Sequence, residues 1–206
     1  MVETKVIAMN SMPINLTAKE LSILSDFEEW LASHEFGFDK SKVMAAATFA
    51  ANAHHGQIRR YTGDPYIIHP VEVAMAVAIA GGDESMVMAA LLHDVVEDTA
   101  VTLIDVSENF GEDVSSLVDG LTDKDYVGSR AVRKKQHAHD LSMTGPRVQT
   151  IKLADTENNA ISIIRHDPKF AKVFIKEKIE LLSVMDKGNS ILMARVQGII
   201  ASHVQA

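Results

Sequence analysis

Apolar residues recur three and four positions apart along most of the chain, with polar residues between them. This spacing puts the apolar side chains on one face of an α-helix and indicates helices that pack around a common core. No stretch shows the strict alternation of a strand with one buried face. The pattern therefore predicts an all-α fold, a helical bundle of roughly ten helices.

Caps and helix-breaking residues divide this pattern into segments. Thr17 and Glu20 form a capping-box pair at the start of the first helix, which is expected to end near Ser33. Ser41 is expected to cap the second helix, and Pro70 to lie in the first turn of the third. The remaining helices are predicted from Asp83 or Ser85 through Val96, and over residues 102–109, 112–121, 130–143, 146–165, 169–185 and 189–204.

Composition places the chain among globular proteins and limits its chemistry. Its 206 residues suit one domain, expected over residues 16–206, after an irregular tail at residues 1–15 that lacks periodicity. Aromatic residues make up only 5%, whereas alanine and methionine are frequent, which favours helices. Cysteine is absent, which excludes disulfides and thiolate metal sites.

The charge and hydropathy of the chain argue against large anionic partners and membranes. The formal net charge is −8 and no basic stripe is visible, so no nucleic-acid partner is expected, although a small anion could still bind a local basic pocket. No apolar run is long enough to span a bilayer, and no leader peptide is evident. We therefore expect a cytoplasmic protein, and the apolar C-terminal helices are compatible with a homo-oligomer.

Residues 89–99 carry the most informative cluster of ionisable side chains. His93 and Glu97 are four positions apart and share a face of the predicted helix, and Asp94 and Asp98 form a second such pair. Burying these groups without partners would be costly, and a bound cation would relieve that cost. Taken alone, the same segment is also explained as the acidic end of a surface helix.

Two further segments add ligands of the same chemical type. His69 precedes a helix-starting proline, where a lone histidine is more often a cap or a core residue. Asp155 lies among apolar residues, where it could also be a buried hydrogen-bond acceptor, and Asn159 follows one turn later. Together the three segments offer two imidazoles and two carboxylates, a set that suits Mn²⁺, Fe²⁺ or Zn²⁺ better than Ca²⁺.

The order of these residues resembles the HD superfamily of metal phosphohydrolases. The likeness is closer to the hydrolase domain of the RelA/SpoT proteins and to their stand-alone relatives of the Mesh1 type. It covers roughly residues 40 to 165 and is specific because several separated motifs agree in order and spacing. The matching segments are residues 55–60, 63–70, 90–99, 110–111 and 152–155.

The resemblance implies a role for each residue of these motifs. His69, His93, Asp94 and Asp155 would be the metal ligands, normally for Mn²⁺, with Fe²⁺ or Zn²⁺ as alternatives. Glu97 and Asp98 would be the catalytic pair beside the metal. Arg59, Arg60 and Lys152 would bind the substrate phosphates, and Asn159 would contact the sugar or help to order the site.

The reaction implied is the removal of the 3′-pyrophosphate from guanosine tetra- or pentaphosphate, which gives GDP or GTP and pyrophosphate. The chain departs from the family where Thr156 and Ile161 replace basic residues, and this puts phosphate affinity and the exact substrate in question. Removal of the 2′-phosphate of NADPH, or hydrolysis of another nucleotide phosphate, is therefore an alternative. A nucleotide-sensing protein without hydrolysis is a third hypothesis, against which Glu97 and Asp98 argue.

Overall fold

The computed structural model describes residues 15–124 and 126–204. Within these ranges the chain forms eleven helices and no strand; Ile58 and Pro65 form only an isolated bridge. The all-α prediction is thus confirmed, whereas the predicted tail at residues 1–15 lies outside the described residues except for its last position. The helices are α1 (Ala18–Ser33), α2 (Lys40–Ala53), α3 (Ile68–Ile79), α4 (Glu84–Leu92), α5 (Val95–Asp98), α6 (Leu103–Phe110), α7 (Glu112–Leu121), α8 (Arg130–Met143), α9 (Pro146–His166), α10 (Pro168–Leu182) and α11 (Ser190–Val204).

The predicted capping box at the start of α1 is present. Thr17 Oγ1 accepts a hydrogen bond from the Glu20 amide at 3.2 Å, and Glu20 Oε2 accepts from the Thr17 amide at 2.6 Å. The Glu20 carboxylate also lies 3.1 Å from Nδ1 of His55, which follows α2. One buried carboxylate therefore both starts α1 and holds it against the end of α2.

Several helix boundaries differ from the predictions by one to three residues, and two differences concern residues singled out in the sequence. The cap of α2 is Asp39, not Ser41, because its carboxylate accepts from the Ser41 amide at 2.9 Å. The predicted continuous helix through residues 83–96 is wrong, since α4 ends at Leu92 and α5 begins at Val95. The turn between them holds His93 and Asp94, so His93 and Glu97 do not share the face of one regular helix.

The core is organised around α4 and α9. Every residue of α4 from Met86 to Leu92 is buried, and this helix packs against α2, α3, α7 and α9. The 21-residue α9 contacts α3, α4, α7, α10 and α11. Side chains at the end of α4 and in the middle of α9 are therefore held by packing on several sides, which fixes positions for chemistry.

The turn before α11 approaches α9 closely. A Cβ atom on Gly188 would lie 2.6 Å from Leu153 Cδ1, so this position requires glycine unless the leucine moves. Gln149 Oε1 accepts from the Lys187 amide at 2.8 Å, and Thr150 Oγ1 accepts from the Asn189 amide at 3.0 Å. These contacts attach the C-terminal helices to α9. Among the described residues, no helix combines the length and apolar character needed to cross a membrane.

Substitution of Leu31 by alanine should destabilise the protein by about 2–5 kcal/mol, because its side chain is only 1% exposed and a cavity would remain. Leu21→Ala on the same helix is the matched control, since Leu21 is 54% exposed and the change should cost less than about 0.5 kcal/mol. Urea unfolding followed by circular dichroism measures both. Equal losses in the two variants would contradict the assignment of the core face of α1.

Candidate metal centre

Three elements bring imidazole and carboxylate groups to one buried location. His69 in the first turn of α3, His93 after α4 and Asp155 in α9 each offer one ligand atom, and these atoms lie within 4.8 Å of one another. Asp155 Oδ1 is 3.4 Å from His69 Nε2 and 3.8 Å from His93 Nε2. All three residues are buried. We call this group the metal centre, because it is a candidate site for a divalent metal ion.

Asp94, the fourth predicted ligand, adjoins the same two imidazole rings. Its Oδ2 lies 3.1 Å from His93 Nε2 and 3.6 Å from His69 Nε2. The hydroxyl of Tyr66 donates to the same oxygen at 2.5 Å, and burial together with Asp94 raises the pKa of Tyr66, so the phenol stays protonated. Tyr66 thus orients the carboxylate of Asp94 toward the histidines.

Both histidines are oriented by hydrogen bonds on the far side of their rings. His69 Nδ1 donates to Asn158 Oδ1 at 2.7 Å, and Asn158 in turn donates to Glu72 Oε2 at 2.6 Å. His93 Nδ1 donates to the carbonyl of Ala90 at 2.8 Å. Each Nε2 therefore faces the centre, as in histidines that bind metals. His93 Nε2 is buried and makes no well-aligned hydrogen bond, although Asp94 Oδ2 lies 3.1 Å away, so a cation between the two atoms would satisfy both.

The electrostatics of the centre favour positive charge. Burial lowers the pKa of His93, but Asp94 and Asp155 outweigh this effect and raise it to about 9. Burial raises the pKa of Asp94, but the two histidines hold it below its usual value. Burial also raises the pKa of Asp155, but Lys152 and the two histidines keep it well below the usual range. Two carboxylates that stay ionised in a buried location attract a cation, so the residues present fit a divalent ion.

Three of the four predicted substrate-binding residues lie beside the metal centre. Lys152 Nζ is 3.0 Å from Asp155 Oδ2, and Asn159 Nδ2 donates to Asp155 Oδ1 at 2.6 Å. Arg59 donates to Asn159 Oδ1 at 3.5 Å and to Asn158 Oδ1 at 3.3 Å. Arg60 instead lies over the ring of Tyr61, with 5.5 Å between its guanidinium carbon and the ring centroid. Substrate binding by these residues stays a prediction.

Glu97 and Asp98, the predicted catalytic pair, lie on the short helix α5 and are exposed. The Asp123 amide donates to Glu97 Oε1, which fixes that carboxylate. Loss of solvation raises the pKa of Glu97 above its ordinary value. Loss of solvation and the nearby charge of Asp94 raise the pKa of Asp98. Carboxylates with raised pKa values are better proton acceptors near neutral pH.

Sequence reasoning assigned no role to several residues that shape the centre. Tyr66 lies in a motif that was recognised, and Asn158 precedes the predicted Asn159, so both were within reach of the sequence. Thr156, at a position where the family is basic, is fully buried, whereas Ile161 is 53% exposed. The buried threonine cannot carry a charge toward substrate, which agrees with the expected loss of positive charge along α9.

Comparison with known proteins finds a matching family model and several similar relatives. Residues 46–179 match the sequence model of the HD domain. The chain is 35% identical over 164 residues to a guanosine-3′,5′-bis(diphosphate) 3′-pyrophosphohydrolase of Aquifex aeolicus, a match that covers 79% of this chain and 23% of the relative. It is 36% identical over 147 residues to the bifunctional (p)ppGpp synthase/hydrolase SpoT of Escherichia coli, covering 69% and 21%. The chain thus spans less than a quarter of these curated relatives.

The fold is also similar to that of one solved structure, over nearly the whole of that structure's chain. A metazoan ortholog of SpoT that hydrolyses ppGpp superposes with a TM-score of 0.74 at 27% sequence identity. The superposition covers 81% of this chain and 98% of that one. Most of the present fold is therefore shared with nearly the whole of that chain.

We expect His93→Ala to abolish tight binding of a divalent ion, because it removes one of the four candidate ligands and the imidazole nearer to Asp94. Elemental analysis should show about one Mn²⁺ per chain in the native protein, and a concentration of about 100 times Kd should stabilise it by roughly 2.7 kcal/mol. His139→Ala is the control, since His139 is exposed on α8. Retention of the ion by the His93 variant would show that the metal binds elsewhere.

Proposed function

Because the chain belongs to the HD domain family, we propose that it is a Mn²⁺-dependent hydrolase that removes the 3′-pyrophosphate of guanosine tetra- and pentaphosphate. The observation that carries this proposal is the convergence of His69, His93, Asp94 and Asp155 beside Lys152. Relatives named for this activity in bacteria, and the metazoan ortholog that hydrolyses ppGpp, support the choice of substrate.

The donor set supports the choice of metal and assigns its ligands. His69, His93, Asp94 and Asp155 would hold the ion, and two imidazoles with two carboxylates suit Mn²⁺ as well as Fe²⁺ and Zn²⁺. A bound divalent ion would supply Lewis-acid chemistry, by lowering the pKa of water and by neutralising charge on a phosphoryl oxygen. Asn159 and Lys152 both contact Asp155 and would keep its carboxylate in place.

The chain's own residues would bind the phosphates and accept the proton of water. Lys152 is half-buried next to the centre, and burial lowers its pKa less than Asp155 raises it, so the amine stays charged. Arg59 offers paired donors that match phosphoryl oxygens. Glu97, fixed by the Asp123 amide, would accept the proton of the attacking water, with Asp98 beside it.

The proposed reaction needs no reactant besides water and the nucleotide. The oxygen of water forms a bond to the phosphorus attached to the ribose 3′-oxygen, and the bond between that phosphorus and the 3′-oxygen breaks. The water proton passes to Glu97 or Asp98, and the 3′-oxygen takes up a proton as it leaves. The products are GDP or GTP and inorganic pyrophosphate.

Incubation of the Mn²⁺-loaded protein with guanosine tetraphosphate should release GDP and pyrophosphate in equal amounts. Ion-exchange chromatography of the nucleotides and an enzymatic pyrophosphate assay measure the two products. Absence of turnover with Mn²⁺, Fe²⁺, Zn²⁺ and Co²⁺ would contradict the substrate assignment. Release of phosphate from NADPH in the same panel would favour that alternative, and tight nucleotide binding without product would identify a sensor.

Glu97→Gln should lower kcat by about 10²- to 10⁴-fold while the protein keeps its metal, because the amide cannot accept a proton. Steady-state kinetics and elemental analysis measure the two properties. Glu108→Gln is the control, since Glu108 is exposed on α6 and the same change should leave both unaffected. Loss of metal from the Glu97 variant would make Glu97 a ligand and overturn the division of roles.

A further inference from the structure

A pocket of about 270 Å³ lies between α8, α9 and α10 and adjoins the metal centre. Lys152 and Asn159, which both contact Asp155, are part of its lining. Its remaining walls come from elements outside the recognised motifs. They are formed by Arg130, Lys134 and His137 of α8, Ile163 of α9, and Phe170, Phe174, Glu177, Lys178 and Leu181 of α10.

The pocket carries an excess of positive charge. Four cationic side chains line it against one carboxylate, Glu177, and that carboxylate is bound to Arg130 at 2.7 and 2.9 Å. Lys134 pairs with Asp123 at 2.8 Å. Lys178, by contrast, takes part in none of the ion pairs found among the described residues, and its amine lies 5.2 Å from the ring centroid of Phe174.

The charge of Lys178 is only partly compensated, because burial and Lys152 outweigh the attraction of Asp155 and Asp123. Burial, followed by repulsion from Lys152, lowers the pKa of Lys178 to about 8. An anion in the pocket would reverse this effect, because an opposite charge favours the protonated amine. A half-buried lysine that forms no ion pair and is only partly compensated therefore points to a negatively charged ligand.

A buried histidine supplies an independent indication of a ligand. His137 is 6% exposed, and its Nδ1 bonds to the carboxylate of Asp123. Its Nε2 is buried and has no hydrogen-bond partner, although the residue lines the pocket. Burial lowers the pKa of His137 despite Asp123. An adjacent phosphate would raise that pKa, and the Nε2 proton would then be donated to a phosphate oxygen.

We propose that this pocket binds a second, non-reacting phosphate group of the nucleotide, which is the 5′-diphosphate when the substrate is guanosine tetraphosphate. The inference rests on the proposed function and deepens it. It also explains how the chain binds phosphates without a basic residue at Thr156 or Ile161, since α8 and α10 supply the positive charge instead. The apolar side chains of Phe170, Phe174 and Leu181 also line the pocket, and apolar walls strengthen the attraction between these charges and an anion.

The test compares Lys178→Met with a control variant, Lys176→Met. Lys176 lies on the same helix and is exposed. With guanosine 5′-diphosphate 3′-diphosphate, the Lys178 variant should raise KM roughly tenfold to a hundredfold and leave kcat nearly unchanged. With guanosine 3′-diphosphate, which lacks 5′-phosphates, the two variants should match the native protein. His137→Asn, which keeps a donor toward Asp123 but removes Nε2, should show the same dependence on the 5′-phosphates.

Two kinetic results would overturn the proposal. One is equal kinetics for the Lys178 and Lys176 variants on both nucleotides. The other is an equal rise in KM for Lys178→Met with and without 5′-phosphates, which would place the lysine at another part of the substrate.

Isothermal titration with GDP separates this proposal from the proposed function. If no pyrophosphate is ever released, GDP binding that is weakened by Lys178→Met and not by Lys176→Met still supports the pocket, and equal binding by both refutes it.

Discussion

Four ionisable side chains from three distant parts of the chain share one buried location, and their charges must be balanced there. Two ionised carboxylates without partners in such surroundings would cost several kcal/mol. The histidines and Lys152 balance part of this charge, and the raised pKa of His93 shows how strongly the location favours a cation. A divalent ion would satisfy the same requirement and would also coordinate the buried Nε2 of His93.

The fold serves this centre by placing each ligand on a well-packed element. Asp155 lies in the middle of α9, which contacts five other helices, and His93 follows α4, which is buried from Met86 to Leu92. A second layer of hydrogen bonds from Asn158, Tyr66 and the Ala90 carbonyl orients the ligands. The more exposed Glu97 and Asp98 stand beside this rigid group. The arrangement combines a fixed metal centre with carboxylates that solvent can reach.

Features that depend on local chemistry could be predicted from the sequence. The capping box at Thr17, the proline in the first turn of α3 and the glycine and proline breaks are local signals, and they gave most helix boundaries within a few residues. The candidate metal ligands could be predicted from the order of His69, His93, Asp94 and Asp155 and from the family resemblance. Periodicity alone would not have joined three segments so far apart in the chain.

Features that depend on tertiary packing could not be predicted in this way. The break at His93 and Asp94 interrupts a run whose apolar spacing continues, so no local residue marks it. Asp39 caps α2 in place of the equally suitable Ser41, a choice between two neighbouring polar residues. His137 and Lys178 belong to no recognised motif, and they line one pocket with Lys152 only because α10 packs against both α8 and α9.

Anomalous diffraction from a crystal of the Mn²⁺-loaded protein tests the central claim most directly. The account predicts one strong anomalous peak about 2.0–2.3 Å from His69 Nε2, His93 Nε2 and carboxylate oxygens of Asp94 and Asp155. A peak at any other location, or a fully loaded crystal without a peak between these four residues, would contradict it.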